Sequence, residues 1–414
     1  MFAVTAFVAL FVYGITLAPQ VTFGWSGVFA TAAMYPGPST PSGHPIWAIC
    51  GWAWINVFPF GNIAWRLAFG SAVAAAIACG VVAVIVARVG KLISAGQKGA
   101  VVFVGSIVAG LGLAFEQGFW SKAVVVDSWS LTGLCFALIL YCFSRWFFEP
   151  LRRRWLYGAA FLAGAGLCES QSLAPAIYIL PLFAALGDVK VGRDLLLAES
   201  IALWSWLAGR HHLGHLGWNV AAVWGSATTL ATATAIAWMI CWWRSGKPLG
   251  EFKCSITCIA LFSGGLLLCF LSPVLSMTNP PMNWGYPRTE EGFAHVLSRG
   301  QYDSFAPPPN VWQVAARFCE YVVDLIADIG PMYLLAACAT LPLCWRAPRP
   351  VRKWIAGMWV TWIVVTLISV AALNVEAREI AKVRSLFDPG NAVLMVLAGC
   401  GITFALRRRK ARGA

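Results

Sequence analysis

Long apolar segments recur along the whole chain, with short polar stretches between them. Most are continuously apolar over about 17–25 residues, the length of a helix that crosses a bilayer core of about 30 Å. The strands of a membrane barrel would instead alternate apolar and polar positions. The pattern therefore predicts an all-α polytopic membrane protein with about twelve transmembrane helices. The predicted spans are 1–18, 64–88, 99–118, 126–147, 155–168, 172–187, 195–209, 217–243, 255–275, 329–345, 354–373 and 388–406.

Two connections between the predicted spans are far longer than the others. Residues 19–62 contain almost no charge but many Pro, Gly and Trp residues, and residues 276–328 are also rich in aromatic residues. Loops longer than about 15 residues are usually functional or disordered, and the aromatic content argues against disorder. We predict that both loops lie on the outer face of the membrane and together roof one polar cavity. No separate soluble domain is predicted, so residues 1–414 form a single membrane domain.

The composition supports a membrane protein and accounts for the net charge. The 414-residue chain is 59% hydrophobic and 11% charged, whereas about a quarter of the residues of a soluble domain are charged. The net charge of +13 comes from Lys and Arg clusters at alternate loops, which is the bias of cytoplasmic loops. The clusters predict topology and no nucleic-acid partner, and they place both termini in the cytoplasm. We expect a multi-pass protein of a bacterial inner membrane.

Cysteine and histidine give no sign of a metal site or a disulfide framework. The 13 Cys residues lie mostly inside apolar segments without a CxxC pair, and buried Cys behaves as a small hydrophobe. His211 and His215 are four residues apart, beside His212, but no acid lies nearby to complete a metal site. The first segment lacks a basic region, which predicts a retained helix and not a cleaved signal peptide. We therefore expect no metal and no cofactor.

Several separated motifs, in the same order, resemble those of one membrane-enzyme family. They are Thr16-Leu17-Ala18-Pro19 with Val21-Thr22-Phe23, Pro59-Phe60-Gly61 with Arg66-Leu67, Phe119-Trp120-Ser121 through Asp127, Arg154-Trp155-Leu156-Tyr157 with Gly164 and Gly166, Asn283 to Arg288, and Arg299 to Tyr302. The chain resembles the domain of unknown function 2723, grouped as glycosyltransferase family 117, the relatives of the protein O-mannosyltransferase called transmembrane protein 260. The resemblance implies a GT-C-like helical bundle that transfers a sugar from a polyprenyl-phosphate donor to a protein or glycan acceptor at the outer membrane face.

The chain departs from the family pattern at three motifs. Family members typically have Asp-Ser-Gly-Glu where this chain has Trp25-Ser26-Gly27-Val28. Their His-Pro-Pro-Gly motif is here Thr40-Pro41-Ser42-Gly43, and their Asn-His pair after the fifth span is here Glu169-Ser170. The acid that GT-C enzymes place in their first outer loop is therefore missing, and another carboxylate would have to replace it.

The acids nearest the predicted cavity are the candidates for that replacement. Sugar transfer to a hydroxyl needs a carboxylate that takes the acceptor proton, and an ionisable residue within a span is costly enough to be a functional candidate. Asp127 and Glu169 are the predicted catalytic residues, with Glu116 beside them as a substrate contact. The alternatives are that Asp127 caps a helix beside Ser128 and Ser130, and that Glu169 pairs with an Arg. Asp303, Asp324 and Asp328 also remain open.

The departing phosphate needs cations or hydrogen-bond donors. Arg288, Arg299 and Arg66 are the candidates for this role, with His44 in support, although Arg also commonly anchors helix ends at the membrane interface. The other predicted substrate contacts, on the outward loops and span ends, are Trp120, Gln171, Asn283, Trp284 and Tyr302.

Three functions remain in competition at this point. The first is an active lipid-linked sugar transferase whose carboxylate has relocated, and the second is a non-catalytic relative that binds a lipid-linked sugar or supports a partner protein. The third is a transporter or flippase, a class that tends to show internal repeats. The sequence has no convincing repeat, and the scaffold around the missing acid is retained, so we favour the transferase. Analogy of fold does not by itself establish activity.

Overall fold

The computed structural model describes residues 1–40, 43–94, 99–209, 221–298, 310–373 and 388–411, and within these ranges the chain contains helices and no strand. The α-helices are α1 Phe2–Ile15, α2 Ser26–Met34, α3 Pro45–Val57, α4 Ile63–Ser94, α5 Gly99–Ala114, α6 Gln117–Ala123, α7 Trp129–Phe148, α8 Arg154–Glu169, α9 Ala174–Tyr178, α10 Leu180–Gly187, α11 Val189–Ala208, α12 Ala221–Ser245, α13 Phe252–Leu266, α14 Leu271–Met277, α15 Glu290–Ser298, α16 Val311–Ile329, α17 Pro331–Cys338, α18 Leu343–Arg346, α19 Arg349–Leu373 and α20 Asp388–Ala411.

The structure confirms an all-helical, multi-pass membrane protein, and each predicted span contains at least one helix. Five stretches of the described chain are long and apolar enough to cross a membrane: Ile63–Ser94, Trp129–Phe148, Phe252–Met277, Arg349–Ala371 and Asp388–Arg407. The number rises to seven if each of two bent pairs, α5 with α6 and α16 with α17 and α18, counts as one crossing. The twelve-span GT-C bundle is thus not confirmed and stays a prediction.

The shortness of several helices explains much of the difference between the twelve predicted spans and the five to seven candidate spans in the structure. The predicted span 155–168 corresponds to α8, whose 16 residues rise only about 24 Å at about 1.5 Å per residue. The predicted span 172–187 is divided between a 3₁₀ turn and the short helices α9 and α10, each of which has Pro in its first turn. Such elements are apolar but shorter than a bilayer core.

Small residues allow the helices to pack closely. A Cβ atom placed on Gly164 of α8 would lie 2.0 Å from the carbonyl oxygen of Phe262, and one on Gly265 of α13 would lie 2.2 Å from that of Phe161. The two helices are therefore in backbone contact at this pair of glycines. Membrane helices commonly associate through such small residues, so Gly164 serves helix packing.

The two ends of the bundle differ in charge. At one end, which we call the basic end, Arg88 of α4 forms an ion pair with Glu149 at 2.9 Å and Arg407 of α20 binds the carbonyl of Ile93. At the opposite end, which we call the acidic end, the chain carries the buried carboxylates of Glu116, Asp127, Glu169 and Asp388.

The two long loops meet at the acidic end, as predicted. The first contains α2 and α3, and the second contains α15 and α16. The backbone N–H of Trp284 donates to the carbonyl of Pro38 at 3.1 Å, and the rings of Trp25 and Trp284 pack edge to face with centroids 5.9 Å apart. Gln171 adds a third contact, because its Nε2 donates to the carbonyl of Leu297 at 2.6 Å.

Candidate functional site

Helix α3 connects the first loop to the bundle through a buried carboxylate at its N-terminus. Pro45 begins the helix, where its fixed φ and missing N–H are both tolerated. Glu169, the last residue of α8, is fully buried. Its Oε2 accepts a hydrogen bond from the backbone N–H of Trp47 at 3.1 Å, and its Oε1 lies 3.3 Å from Nδ1 of His44. The carboxylate therefore caps a helix to which it does not belong.

His44 is held in an unusual backbone conformation. Its φ of 43° and ψ of 52° lie in the left-handed region, which is sparsely populated by residues other than Gly and is found at functional sites more often than elsewhere. Its side chain is 11% exposed, and its ring packs edge to face on Phe29 at 5.3 Å. A buried carboxylate is costly unless it is paired and hydrogen-bonded, and the imidazole and the N-terminus of α3 both supply that compensation.

The opposite end of α3 is capped by Arg66. Its guanidinium donates to four backbone carbonyls at 2.9–3.1 Å, those of Ile55, Pro59, Phe60 and Gly61. A cation at a helix C-terminus is favourable because the free carbonyls and the helix dipole are negative there. Of the two roles considered from the sequence, the structure therefore shows Arg66 in the anchoring role.

Asp127 lies at the start of α7 and is 4% exposed, so it faces protein and not lipid. Its Oδ1 accepts from the backbone N–H of Trp129 at 3.0 Å, and its Oδ2 is 3.1 Å from Nζ of Lys122. The side chain of Ser71 donates to the Asp127 carbonyl at 3.2 Å. These contacts correspond to the helix-cap alternative, and they connect α7 to α4 and α6.

Glu116 caps α6, the helix that follows it directly. Its Oε2 accepts from the backbone N–H of Phe119 at 2.7 Å. Its Oε1 accepts from the amide of Asn391 at 3.2 Å, and the amide oxygen of Asn391 accepts from the Tyr321 hydroxyl at 2.9 Å. Nearby, the indole Nε1 of Trp120 donates to the Thr16 hydroxyl at 3.2 Å. Glu116 and Trp120 thus bind other parts of the chain.

Two polar residues at the beginning of α20 were not predicted from the sequence. Asn391 contacts Glu116, and the buried side chain of Asp388 lines a small cavity of about 10 Å³ with Phe119 and Trp129. Neither carboxylate oxygen of Asp388 has a hydrogen-bond partner among the described residues. The signal was present, because two polar side chains stand in the first four residues of the apolar segment 388–406, where polar residues are functional candidates.

Arg288 is an exposed cation in the described part of the second loop. It donates to the side-chain amide of Asn279 and lies over the ring of Tyr286 at 5.4 Å. Asn283 and Ser276 hold the loop by a reciprocal pair of hydrogen bonds at 2.7 and 3.2 Å.

Some of the predicted site residues lie outside the described residues. They are Arg299 and Tyr302. Asp303, which was left open, and the rejected metal candidates His211, His212 and His215 also lie outside the described residues. Within the described ranges, no group of three or more His, Cys, Asp or Glu side chains is arranged to hold a metal ion.

The predicted site residues form two groups. His44, Glu169, Gln171 and Trp284 lie at the junction of the two loops, whereas Glu116, Trp120 and Asp127 lie around α6. An apolar cluster that includes Phe29, Trp47, Leu67 and Val126 packs between the first loop and the start of α7. The arrangement at the loop junction can hold an imidazole in one orientation beside a buried carboxylate, which is a recurrent way to activate a general base.

These features define a multi-pass α-helical membrane protein whose two helical loops contact each other at one end, where a buried His–Glu pair joins the first loop to α8. Residues 26–190 match the family described as the protein O-mannosyl-transferase TMEM260 N-terminal domain, which confirms the family resemblance. The matched range contains His44, Arg66, Glu116, Asp127 and Glu169.

One relative extends the match beyond that domain. A mouse (Mus musculus) protein named protein O-mannosyl-transferase TMEM260 is 27% identical over 233 residues, which cover 53% of this chain and 31% of the mouse protein. The chain thus matches about a third of the length of that relative. No solved structure matches the chain.

Proposed function

We propose that the chain is a membrane glycosyltransferase that moves a sugar from a polyprenyl-phosphate donor to a hydroxyl group of a protein or glycan. The family match and the printed name of the mouse relative support this reaction class. The observation that carries the proposal is the contact between His44 and the fully buried Glu169, where the two long loops meet. The pair of His44 and Glu169 supplies an acid–base group, which the first loop would otherwise lack.

His44 is the proposed general base. Glu169 has no exposed surface, so it acts on a substrate only through its neighbour. With Nδ1 directed at Glu169, Nε2 of His44 takes the proton of the acceptor hydroxyl as the oxygen attacks the anomeric carbon, and the bond from that carbon to the donor phosphate breaks. The carboxylate orients the ring and stabilises the imidazolium that forms, as in other carboxylate–histidine pairs. Glu169 is therefore a positioning residue in this proposal.

Arg288 is the proposed contact of the departing phosphate. It is exposed on the second loop, near Trp284, which packs on the first loop. A guanidinium binds phosphate oxygens in a bidentate manner and offsets their negative charge. Arg299 remains a candidate for the same role. Asp127 and Arg66 are better supported as structural residues, because their polar atoms are occupied by helix caps.

The membrane face follows from the charge of the two ends. Cytoplasmic loops are enriched in Lys and Arg, and the basic end carries Arg88, Arg145 and Arg407. We infer that this end faces the cytoplasm, which places the acidic end and its loop junction on the outer face. The lipid-linked donor and the acceptor would then meet outside.

A non-catalytic relative that only binds a lipid-linked sugar is the second candidate. It is favoured by one observation: residues 19–62 contain no Asp or Glu, and the side chains of Glu116, Asp127 and Glu169 all cap helices.

Transfer by purified protein separates the two candidates. The protein is reconstituted in liposomes with a polyprenyl-phosphate mannose donor and a panel of peptide and glycan acceptors. We expect His44→Gln to lower turnover by about 10²-fold or more, which is the usual contribution of a general base, while donor binding persists. His295→Gln is the matched control, because His295 is an exposed histidine on the neighbouring α15.

Two results would contradict the proposal. Wild-type protein that binds the donor but transfers no sugar to any acceptor would establish the non-catalytic candidate. Transfer by His44→Gln at the rate of His295→Gln would remove His44 from the mechanism.

A further inference from the structure

Helix α16 carries three distinct faces. Tyr321, Leu325 and Ile329 are buried against the bundle. A second face is exposed and apolar and consists of Trp312, Ala315, Ala316, Cys319, Val323 and Ala327. A third face is polar and consists of Gln313, Arg317, Glu320, Asp324 and Asp328. Since successive residues turn by about 100° around a helix, the exposed apolar face and the polar face lie on opposite flanks of the buried one.

The helix lies across the end of the bundle and not along it. The hydroxyl of Tyr321 donates to Asn391 in the first turn of α20, and the backbone N–H of Gln117 donates to Asp328 at 3.0 Å. Both partners stand at the acidic end. Between α16 and the following helices the chain bends by 110°. The bend occurs at Gly330, whose φ of 81° suits glycine, and Pro331 begins the next helix.

The exposed apolar face is followed, beyond the bend, by exposed apolar side chains of the next helix, α17. Trp312 is 84% exposed and Val323 is 68% exposed. Beyond the bend, Met332 and Leu335 of α17 are 74% and 63% exposed. A soluble surface rarely presents such a continuous apolar area, whereas lipid acyl chains cover it without cost.

We propose that α16 lies in the membrane–water interface at the acidic end, with its exposed apolar face in the acyl chains of one leaflet and its polar face in water. An amphipathic helix of this kind binds in the plane of the interface, and Trp is enriched at that depth. The ion pair between Arg317 and Glu320, at 3.0 Å, lies on the polar face. Lipid is therefore the occupant of the apolar face, and α16 is an interfacial helix and not half of a broken span.

Site-specific photocrosslinking tests this placement. p-Benzoylphenylalanine replaces Val323 or, in a matched variant on the polar face, Arg317, which lies about 120° away around the helix. The protein is irradiated in phospholipid nanodiscs. Val360, which is 41% exposed within the spanning helix α19, is the position that reports acyl chains. We expect position 323 to form lipid adducts at a yield close to that of position 360 and several-fold above that of position 317, as read by intact-mass spectrometry.

Each other outcome overturns the inference. Equal lipid adducts from positions 317 and 323 would mean that α16 is immersed on both flanks. No adducts from position 323, while position 360 reacts, would place the face in water. Crosslinks from position 323 to a second copy of the chain would assign the face to an oligomer contact.

Discussion

Glu169 and Glu116 are both buried carboxylates at the acidic end, and each accepts a backbone hydrogen bond in the first turn of a short helix. Glu116 directly precedes the helix that it caps, and its partner Phe119 is three residues away. Glu169 caps α3 through Trp47, which is 122 residues earlier in the chain. The first cap forms when one segment folds, whereas the second forms only after α8 and the first loop have met. Glu169 is thus a connection between elements as well as a cap.

Their second partners also differ. The carboxyl group of Glu116 meets the amide of Asn391 and the carboxyl group of Asp328, whereas the remaining oxygen of Glu169 meets the imidazole of His44. Imidazole is the side chain that ordinarily exchanges protons near neutral pH. Two carboxylates of similar burial therefore differ in what they can do chemically, and the neighbour makes the difference.

Turnover should distinguish the two glutamates most strongly. Glu169→Gln retains the shape of the side chain but loses the charge that orients His44, so we expect kcat for sugar transfer to fall by about 10²-fold or more. Glu116→Gln still accepts from Phe119, so we expect kcat to stay within about threefold of wild type. Initial rates at saturating donor measure both. Equal losses of kcat in the two variants would show that the pairing of Glu169 with His44 has no specific role in catalysis.

The second-largest difference between the two glutamates is expected in the free energy of unfolding. Glu169→Leu leaves the N–H of Trp47 unpaired and removes the partner of His44, and breaking a buried pair costs about 3–5 kcal/mol. Glu116→Leu removes a local helix cap, which costs about 0.5–2 kcal/mol, and the hydrogen bond from Asn391, which contributes about 0.5–1.5 kcal/mol. The free energy of unfolding is measured by denaturant titration in mixed micelles. A loss for Glu116→Leu that equals or exceeds that for Glu169→Leu would contradict the distinction between the local and the distant cap.

Arg66 sharpens the comparison, because it caps the other end of the helix that Glu169 caps. Arg66→Gln removes a charged donor from four carbonyls, and a charged hydrogen bond contributes about 1.5–3 kcal/mol. Arg66→Lys should recover only part of this loss, since an ammonium lacks the planar fork of a guanidinium. Unfolding in the same micelles gives both values. Full recovery by Lys would mean that charge alone is required.

The smallest effect on stability is expected for Glu149. Its side chain is partly exposed, so it serves as a reference for the buried carboxylates. The hydrogen bond from Arg88 lowers the pKa of Glu149 below its usual value of 4.5. A lowered folded-state pKa contributes stability that is present above the unfolded pKa and is lost as the pH falls through the folded value. Wild type should therefore lose slightly more stability than Arg88→Gln between pH 6 and about pH 3. Identical pH profiles would show that this pair contributes nothing measurable.

The apolar pattern predicted the helical segments well but not the elements within the loops. Residues 45–57 are as apolar as a span but lie within the first predicted loop, and they form α3. Thirteen residues are too few to cross a bilayer, and such a short helix is stable mainly because it is packed and capped at both ends. Those caps come from Arg66 and Glu169, and nothing in the sequence of residues 45–57 predicts them.

The candidate site was predicted as a set of residues and not as an arrangement. The sequence identified His44 and Glu169 separately, one as a phosphate assistant and one as a base or the partner of an Arg. Their pairing depends on where the end of α8 lies relative to the first loop, which is a matter of packing. Asp388 and Asn391 were missed because they lie in a segment that hydropathy assigns to the membrane.

The sequence by itself determined that the chain is an all-helical membrane protein, where its helices lie, that its long loops are structured and which family it resembles. Each of these depends on local composition, on periodicity or on the order of motifs. Only the tertiary structure decided which acids are helix caps, that Arg66 is an anchor and that His44 is paired with Glu169. The physical reason is that burial and hydrogen bonding of a polar group depend on partners distant in the chain, and the cost of leaving a buried charge unpaired selects those partners only when the helices pack.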